Sequence, residues 1–317
     1  MLVRDRFLNI YKRDVRESTR KTYKTTLDKL YSKFNITENN EENKLKELTC
    51  NDLEDWCLEL EKEYKGSTYN TIVTHLREYF LYLTEKRHLL TNNPFDVVQK
   101  LGYKEVESDA KDKYIFSIDD IKRIIAKSRI RSTRESINSF EFNSHRDRAI
   151  ISMLMATGCR KGELINLQYS MMEKINGGVA FNISGKYTKN GSDKRVVIGN
   201  NTLKYFNEYL IMIKKYNIDS EYIFTSMRGK KLNSSDLTDI VKKLVKKSGI
   251  ETGDKMVSPH CCRSSLAVYL VQQNISEIIV KEIMGWNQST SNSMLAKYST
   301  KDIKMYDEDK LKILNII

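Results

Sequence analysis

Ser258-Pro259-His260-Cys261-Cys262-Arg263 is the stretch from which the whole chain is best read. Arg263 follows His260 by three residues, so one helix face presents an imidazole and a guanidinium together. Downstream lie Gly285-Trp286 and Lys297-Tyr298, and upstream a second arginine stands in Ala156-Thr157-Gly158-Cys159-Arg160-Lys161-Gly162-Glu163-Leu164. A lysine-rich turn, Lys186 to Arg195, separates the two arginines. Each fragment is common alone, and their order and spacing carry the argument.

The 317 residues suffice for two modest domains, each with its own core. A 40% hydrophobic, 30% charged composition with two prolines is that of a chain folded throughout. No run of about 18 apolar residues is present to span a bilayer, and the start Met1-Leu2-Val3-Arg4 lacks the order of a signal peptide. The expected location is cytoplasmic and nucleoid-associated, in a prokaryote or the host of a phage or mobile element. The five cysteines, Cys50, Cys57, Cys159, Cys261 and Cys262, form no Cys-x-x-Cys pair, so reduced thiols are expected, with Cys261-Cys262 packing a helix.

Charge is unevenly spread. Residues 106–317 carry a net +11 of the total +12, and residues 1–33 alone carry +6 while 34–105 carry −5. Positive charge in an N-terminal helix and in the second half suits a protein that grips a polyanion, although a lysine-rich solvated surface would look alike.

The first half reads as a small helical bundle. Ser18-Thr19 can cap a helix with Tyr23, Leu27, Leu30, Tyr31 and Phe34 at helical spacing, and Thr49 or Asn51 can cap the next. Thr68 to Thr84 repeats the period until Asn92-Asn93-Pro94 stops it. The apolar period lapses between Leu101 and Tyr114, so 104–113 is expected to be a linker between domains 1–103 and 114–317. Ser117 with Asp120 can cap the next helix, a long helix runs from Arg146 through Met155, and Val179–Ile183 with Arg195–Ile198 form a hairpin. Helices are then expected over Leu203–Lys214, Ser234–Lys247, His260–Val271, Ile275–Met284 and Asp307–Ile317. The fold class is mainly α with a small β-hairpin or sheet in the second domain.

Direct cleavage of a phosphodiester needs a nucleophile, cations around the pentavalent transition state, and an acid for the departing oxygen. No carboxylate cluster stands at helical or hairpin spacing to hold magnesium. Two arginines can replace the metal, because each guanidinium is planar, permanently charged and able to bind two phosphate oxygens. Arg160, after a glycine turn, falls at a helix start where backbone N–H groups also favour anions.

The segments Thr157–Leu164, Thr188–Ile198, His260-Cys261-Cys262-Arg263, Met284-Gly285-Trp286 and Tyr298 together resemble the phage integrase, or tyrosine recombinase, family. Tyr79–Leu83 and Asn93-Pro94 are similar to that family's helical core-binding domain, of SAM-like type. The resemblance implies a two-domain, C-shaped DNA clamp made of that domain and an integrase-like catalytic domain. It implies a site-specific recombinase acting through a 3′-phosphotyrosyl intermediate with no metal, ATP or other cofactor, for integration, excision or dimer resolution. Tyr298 would be the nucleophile, Arg160 and Arg263 would clamp the non-bridging oxygens, and His260 would act on the nucleophile's proton. Trp286 would donate its indole N–H, Lys189 would protonate the leaving oxygen with Lys186 or Lys194 as rivals, and Glu163 would hold the arginine or histidine in place. The interval from Trp286 to Tyr298 is longer than most relatives show, and Asn287 to Ser293 reads as a loop that lets the tyrosine swing or reach a neighbour. Tyr306 is the fallback nucleophile. Double-stranded DNA with a specific recombination site is the expected partner, with a homotetramer in the synaptic complex, a monomer or dimer when free, and no membrane. The apolar tail Lys310 to Ile317 is expected to dock on a neighbouring protomer. A type IB topoisomerase and a non-catalytic DNA-binding regulator on the same scaffold are the alternatives.

Overall fold

The computed structural model describes residues 1–95, 112–131, 136–189 and 191–286. Most of the linker expected at 104–113 lies outside them, as do Tyr298, Tyr306, the 287–293 insertion, the final helix and the apolar tail. The chain divides into two compact units, Met1–Ala110 and Lys111–Ile317.

The first unit is helical: α1 (Val3–Arg6) running into a π-helical turn (Phe7–Tyr11), α2 (Glu17–Lys33), α3 (Glu41–Glu47), α4 (Cys50–Glu63) and α5 (Gly66–Leu81), which ends in a second π-helical turn (Tyr82–Lys86). Tyr23, Leu27, Leu30 and Tyr31 of α2 are buried at helical spacing and pack with Phe7, Leu76, Tyr79 and Phe80 in one core. Thr49 caps α4: its hydroxyl accepts from the Asp52 N–H at 3.3 Å while the Asp52 carboxylate accepts from the Thr49 N–H at 2.9 Å. Helix α2 starts at Glu17, slightly before the expected Ser18-Thr19 cap, and has no side-chain cap. The N-terminus is tied down by the buried Glu41, whose carboxylate accepts from the Val3 N–H at 2.7 Å and from the Tyr31 hydroxyl at 2.5 Å.

The second unit begins with α6 (Ile118–Lys127), α7 (Ile137–Thr157) and the short α8 (Lys161–Ile165). A three-stranded antiparallel sheet follows, β1 (Met172–Ile175), β2 (Gly178–Ile183) and β3 (Lys194–Gly199), in the order β1-β2-β3. Helices α9 (Asn200–Lys215), α10 (Ser234–Ser248), α11 (Pro259–Gln272) and α12 (Glu277–Met284) complete the described part. Ser117 and Asp120 cap α6 reciprocally. Helix α7 starts at Ile137 rather than Arg146, and every residue from Arg146 to Thr157 is buried, so it is a central helix surrounded by α6, α9, α11 and β3. In the β2–β3 pairing Val179 faces Ile198 and Phe181 faces Val196, which sets the apolar side chains against Phe206 of α9. Strand β1 is an addition to the expected hairpin. Cys261 and Cys262 are fully buried in α11, and all five thiols are free.

Gly158 closes α7 in the left-handed conformation, φ +57°. A Cβ there would lie 2.9 Å from Met284 Sδ and 3.0 Å from Leu266 Cδ2, so α12 and α11 press directly on this turn. Gly158→Ala should therefore add strain and overpacking of about 1–3 kcal/mol. Faster hydrogen exchange of α7 and α11 amides in urea would check it, and unchanged protection would contradict it.

Candidate active site

The turn after Gly158 leads through Cys159 to Arg160, the residue before the first turn of α8. Glu163 answers it from that first turn. Its carboxylate accepts from the Arg160 N–H at 3.0 Å and from Arg160 Nη1 at 2.7 Å, and its side chain has no exposed surface. A second cation reaches the same carboxylate from β3, where Lys194 Nζ lies 3.1 Å from Glu163 Oε2. Burial alone would push the Glu163 carboxyl up, but Lys194 and Arg160 more than offset it and hold the group below its usual value. Arg160 keeps 26% of its side chain exposed, and its Nη2 donates to the Gly285 carbonyl at 3.3 Å.

Arg263 is held by backbone rather than by acids. Nη1 donates to the Gly158 carbonyl and Nη2 to the Met284 carbonyl, the outward-turned ends of α7 and α12. Its guanidinium carbon lies 5.6 Å from the centre of the Trp286 ring, which itself packs on the small core formed by α11 and α12. Burial, and then the like charge of Arg160, push the Arg263 guanidinium down to about 10. It remains a cation at neutral pH.

His260 opens α11 one turn before Arg263 and stays exposed at the surface. Desolvation of its inner face, followed by the positive fields of Lys113, Arg263, Arg160 and Lys189, pushes its imidazole down to about 4. The ring is therefore neutral at pH 7. The hairpin contributes to that positive field. Lys189, exposed after the Thr188 turn, acts on His260, whereas Lys186 lies over the Tyr187 ring at 4.7 Å and Lys194 is 7% exposed against Glu163. The turn between β2 and β3 is itself tightly tied, with Asp193 accepting from the Gly185 N–H at 2.7 Å and the Thr188 hydroxyl donating to the Ser192 carbonyl at 2.8 Å.

Arg160, Glu163, Arg263 and Trp286 are thus tied by direct contacts to one turn, His260 lies within the positive field of both arginines and of Lys189, and Lys186 packs on the neighbouring Tyr187 ring. Tyr298 lies outside the described residues. Lys113 is the cation that sequence reading missed, because it falls in the stretch expected to be linker. Asp112 accepts from the Met256 N–H at 2.8 Å and Tyr114 donates to the Met256 carbonyl at 3.0 Å, which anchors Lys113 beside α11.

The phage integrase family model matches residues 115–304. A tyrosine recombinase of Agathobacter rectalis is 24% identical over 270 residues, 85% of this chain and 82% of that protein. Among solved structures, the XerH site-specific recombinase bound to a palindromic difH substrate, in a post-cleavage complex, superposes with a TM-score of 0.65 at 18% identity, over 88% of this chain and 75% of that one. A lambda integrase (75–356) dimer bound to a COC′ core site gives a TM-score of 0.64 at 17% identity, over 95% of this chain and 98% of that one. The likeness to both structures is one of fold.

A ring with its pKa near 4 in the folded chain, against about 6.5 when unfolded, takes up its proton only on unfolding between those values. Its contribution to stability should therefore fall as pH drops from about 6.5 to about 4. The His260 ring resonances should titrate near 4 by NMR, and Lys113→Ala or Lys189→Ala should move that midpoint upward. An unshifted midpoint in both variants would remove the field argument.

Proposed function

The chain belongs to the phage integrase family, and on that premise we propose that it is a site-specific DNA recombinase which cuts and rejoins strands through Tyr298. The observation that carries this reading is the pair of guanidiniums fixed side by side at the Met284-Gly285 turn, with His260 one helical turn before Arg263 and within their field.

The Tyr298 phenol oxygen attacks the scissile phosphorus, and its proton passes to His260. A neutral ring is the form able to accept it, which is what desolvation and then the surrounding cations favour. Arg160 and Arg263 stabilise the charge gathering on the non-bridging oxygens. Their hydrogen bonds to Glu163 and to the backbone carbonyls fix them before substrate arrives, so little reorganisation is needed. Trp286 donates its indole N–H to the phosphate and packs against Arg263. Lys189 gives a proton to the departing 5′-oxygen, leaving a 3′-phosphotyrosyl bond and a free 5′-hydroxyl. Attack by a 5′-hydroxyl from a partner strand reverses each step, and the phosphotyrosine conserves the bond energy, so no nucleotide is consumed.

Lys194 is the poorer proton donor, because its amine is already bonded to a buried carboxylate. Lys186 is the second choice. The net +11 over residues 106–317 supports duplex DNA as partner. Exchange between two duplexes breaks four strands, one per tyrosine, so the working assembly is a homotetramer on two recombination sites.

A nicked substrate that traps the intermediate tests this reading. Tyr298→Phe should abolish the covalent adduct without loss of DNA affinity, and an adduct that persists would refute Tyr298 as nucleophile. Lys189→Ala should slow cleavage by about 10²–10⁴. A substrate with sulfur in place of the bridging 5′-oxygen should recover that loss, since a thiolate leaves without a proton.

A further inference from the structure

The proposal that follows rests on the recombinase reading, and it concerns a residue to which that reading gives no task. Lys194 opens β3, an edge strand of the sheet, with 7% of its side chain exposed, and among the described residues its ionic partner is the fully buried Glu163. A lysine side chain so enclosed is costly to keep, and its ammonium is directed to Glu163 rather than to solvent.

Its geometry shows what it does serve. The Lys194 ammonium takes Glu163 Oε2, the oxygen that also accepts the Arg160 N–H, and leaves Oε1 to the Arg160 guanidinium. Its stem passes so near Gly285 that a Cβ there would lie 3.3 Å from Lys194 Cδ and 3.5 Å from Cε. The Gly285 carbonyl is in turn the second acceptor of Arg160, through Nη2. Lys194 and Arg160 therefore share both Glu163 and the Gly285 turn, in a closed circuit joining β3, the start of α8 and the end of α12.

We propose that Lys194 is a positioning residue for Arg160: it fixes the Glu163 carboxylate and cancels the charge that Arg160 would otherwise spend on it. With Lys194 in place, one buried anion faces two cations, and Arg160 keeps a surplus of positive charge for a phosphate. Without it, Glu163 and Arg160 form a self-neutralising pair, and the carboxylate is free to rotate away from the geometry that aims the guanidinium.

The test uses the full chain and the trapping substrate. Wild type must first form adduct, and failure there would count against the recombinase reading itself. Lys194→Met keeps the stem and removes the charge, and should slow adduct formation by about a hundredfold at saturating DNA, with DNA affinity within about threefold of wild type. Glu163→Gln added to Lys194→Met should recover at least about tenfold of that rate, because no carboxylate is then left to neutralise Arg160. A merely structural role predicts otherwise: the double variant would be no faster than Lys194→Met, and the loss would track a fall in folded fraction by circular dichroism. Either of those results, or a Lys194→Met variant with full rate, would overturn the proposal.

Discussion

The buried Glu163 carboxylate is the constraint on which the site depends. A carboxylate with no exposed surface is retained only if its charge is met at close range, and here it is met by Arg160 from its own helix start and Lys194 from the sheet. Removing one partner of such a group typically costs about 3–5 kcal/mol, so the pairing also fixes where β3 must lie relative to α8. The sheet is small, and besides packing Val179, Phe181, Val196 and Ile198 into the core it brings Lys194 to that carboxylate.

Around this anion the balance of charge is positive, and positive charge in a partly desolvated place is expensive. Arg160, Arg263, Lys113 and Lys189 all act on His260, and Arg160 acts on Arg263. The rigid frame bears that repulsion: the Arg146–Thr157 half of α7 is buried on all sides, and α11 and α12 share their own core against the turn at Gly158. On the proposed reading, an anion drawn into this centre would relieve that repulsion, and part of its binding would come from it.

Much of this was legible in the residues. Arg160, His260 and Arg263 stand out because few other side chains offer the chemistry proposed for them, and the Thr49 and Ser117 caps because a reciprocal bond needs particular letters three apart. What was illegible falls into two kinds. Helix α7 looked shorter because Ile137 to His145 is mostly polar at its start, and β1 is four residues long with no alternation to betray it. The second kind is contact between distant segments: nothing near Lys194 announces Glu163, and nothing near Lys113 announces Met256. The carbonyls that hold Arg263 belong to the backbone, which every residue shares, and so leave no mark in a sequence at all.

That last feature has a consequence for how such a site can change over time. Because Arg263 is gripped by the Gly158 and Met284 carbonyls and Arg160 partly by that of Gly285, the grip is indifferent to many side-chain replacements nearby. It is sensitive instead to the number of residues in the turns that aim those oxygens. Divergence here is filtered by chain length more than by amino-acid identity: substitutions can accumulate around the arginines, whereas one residue gained or lost between Gly158 and Glu163, or between Met284 and Trp286, would rotate the acceptors out of reach.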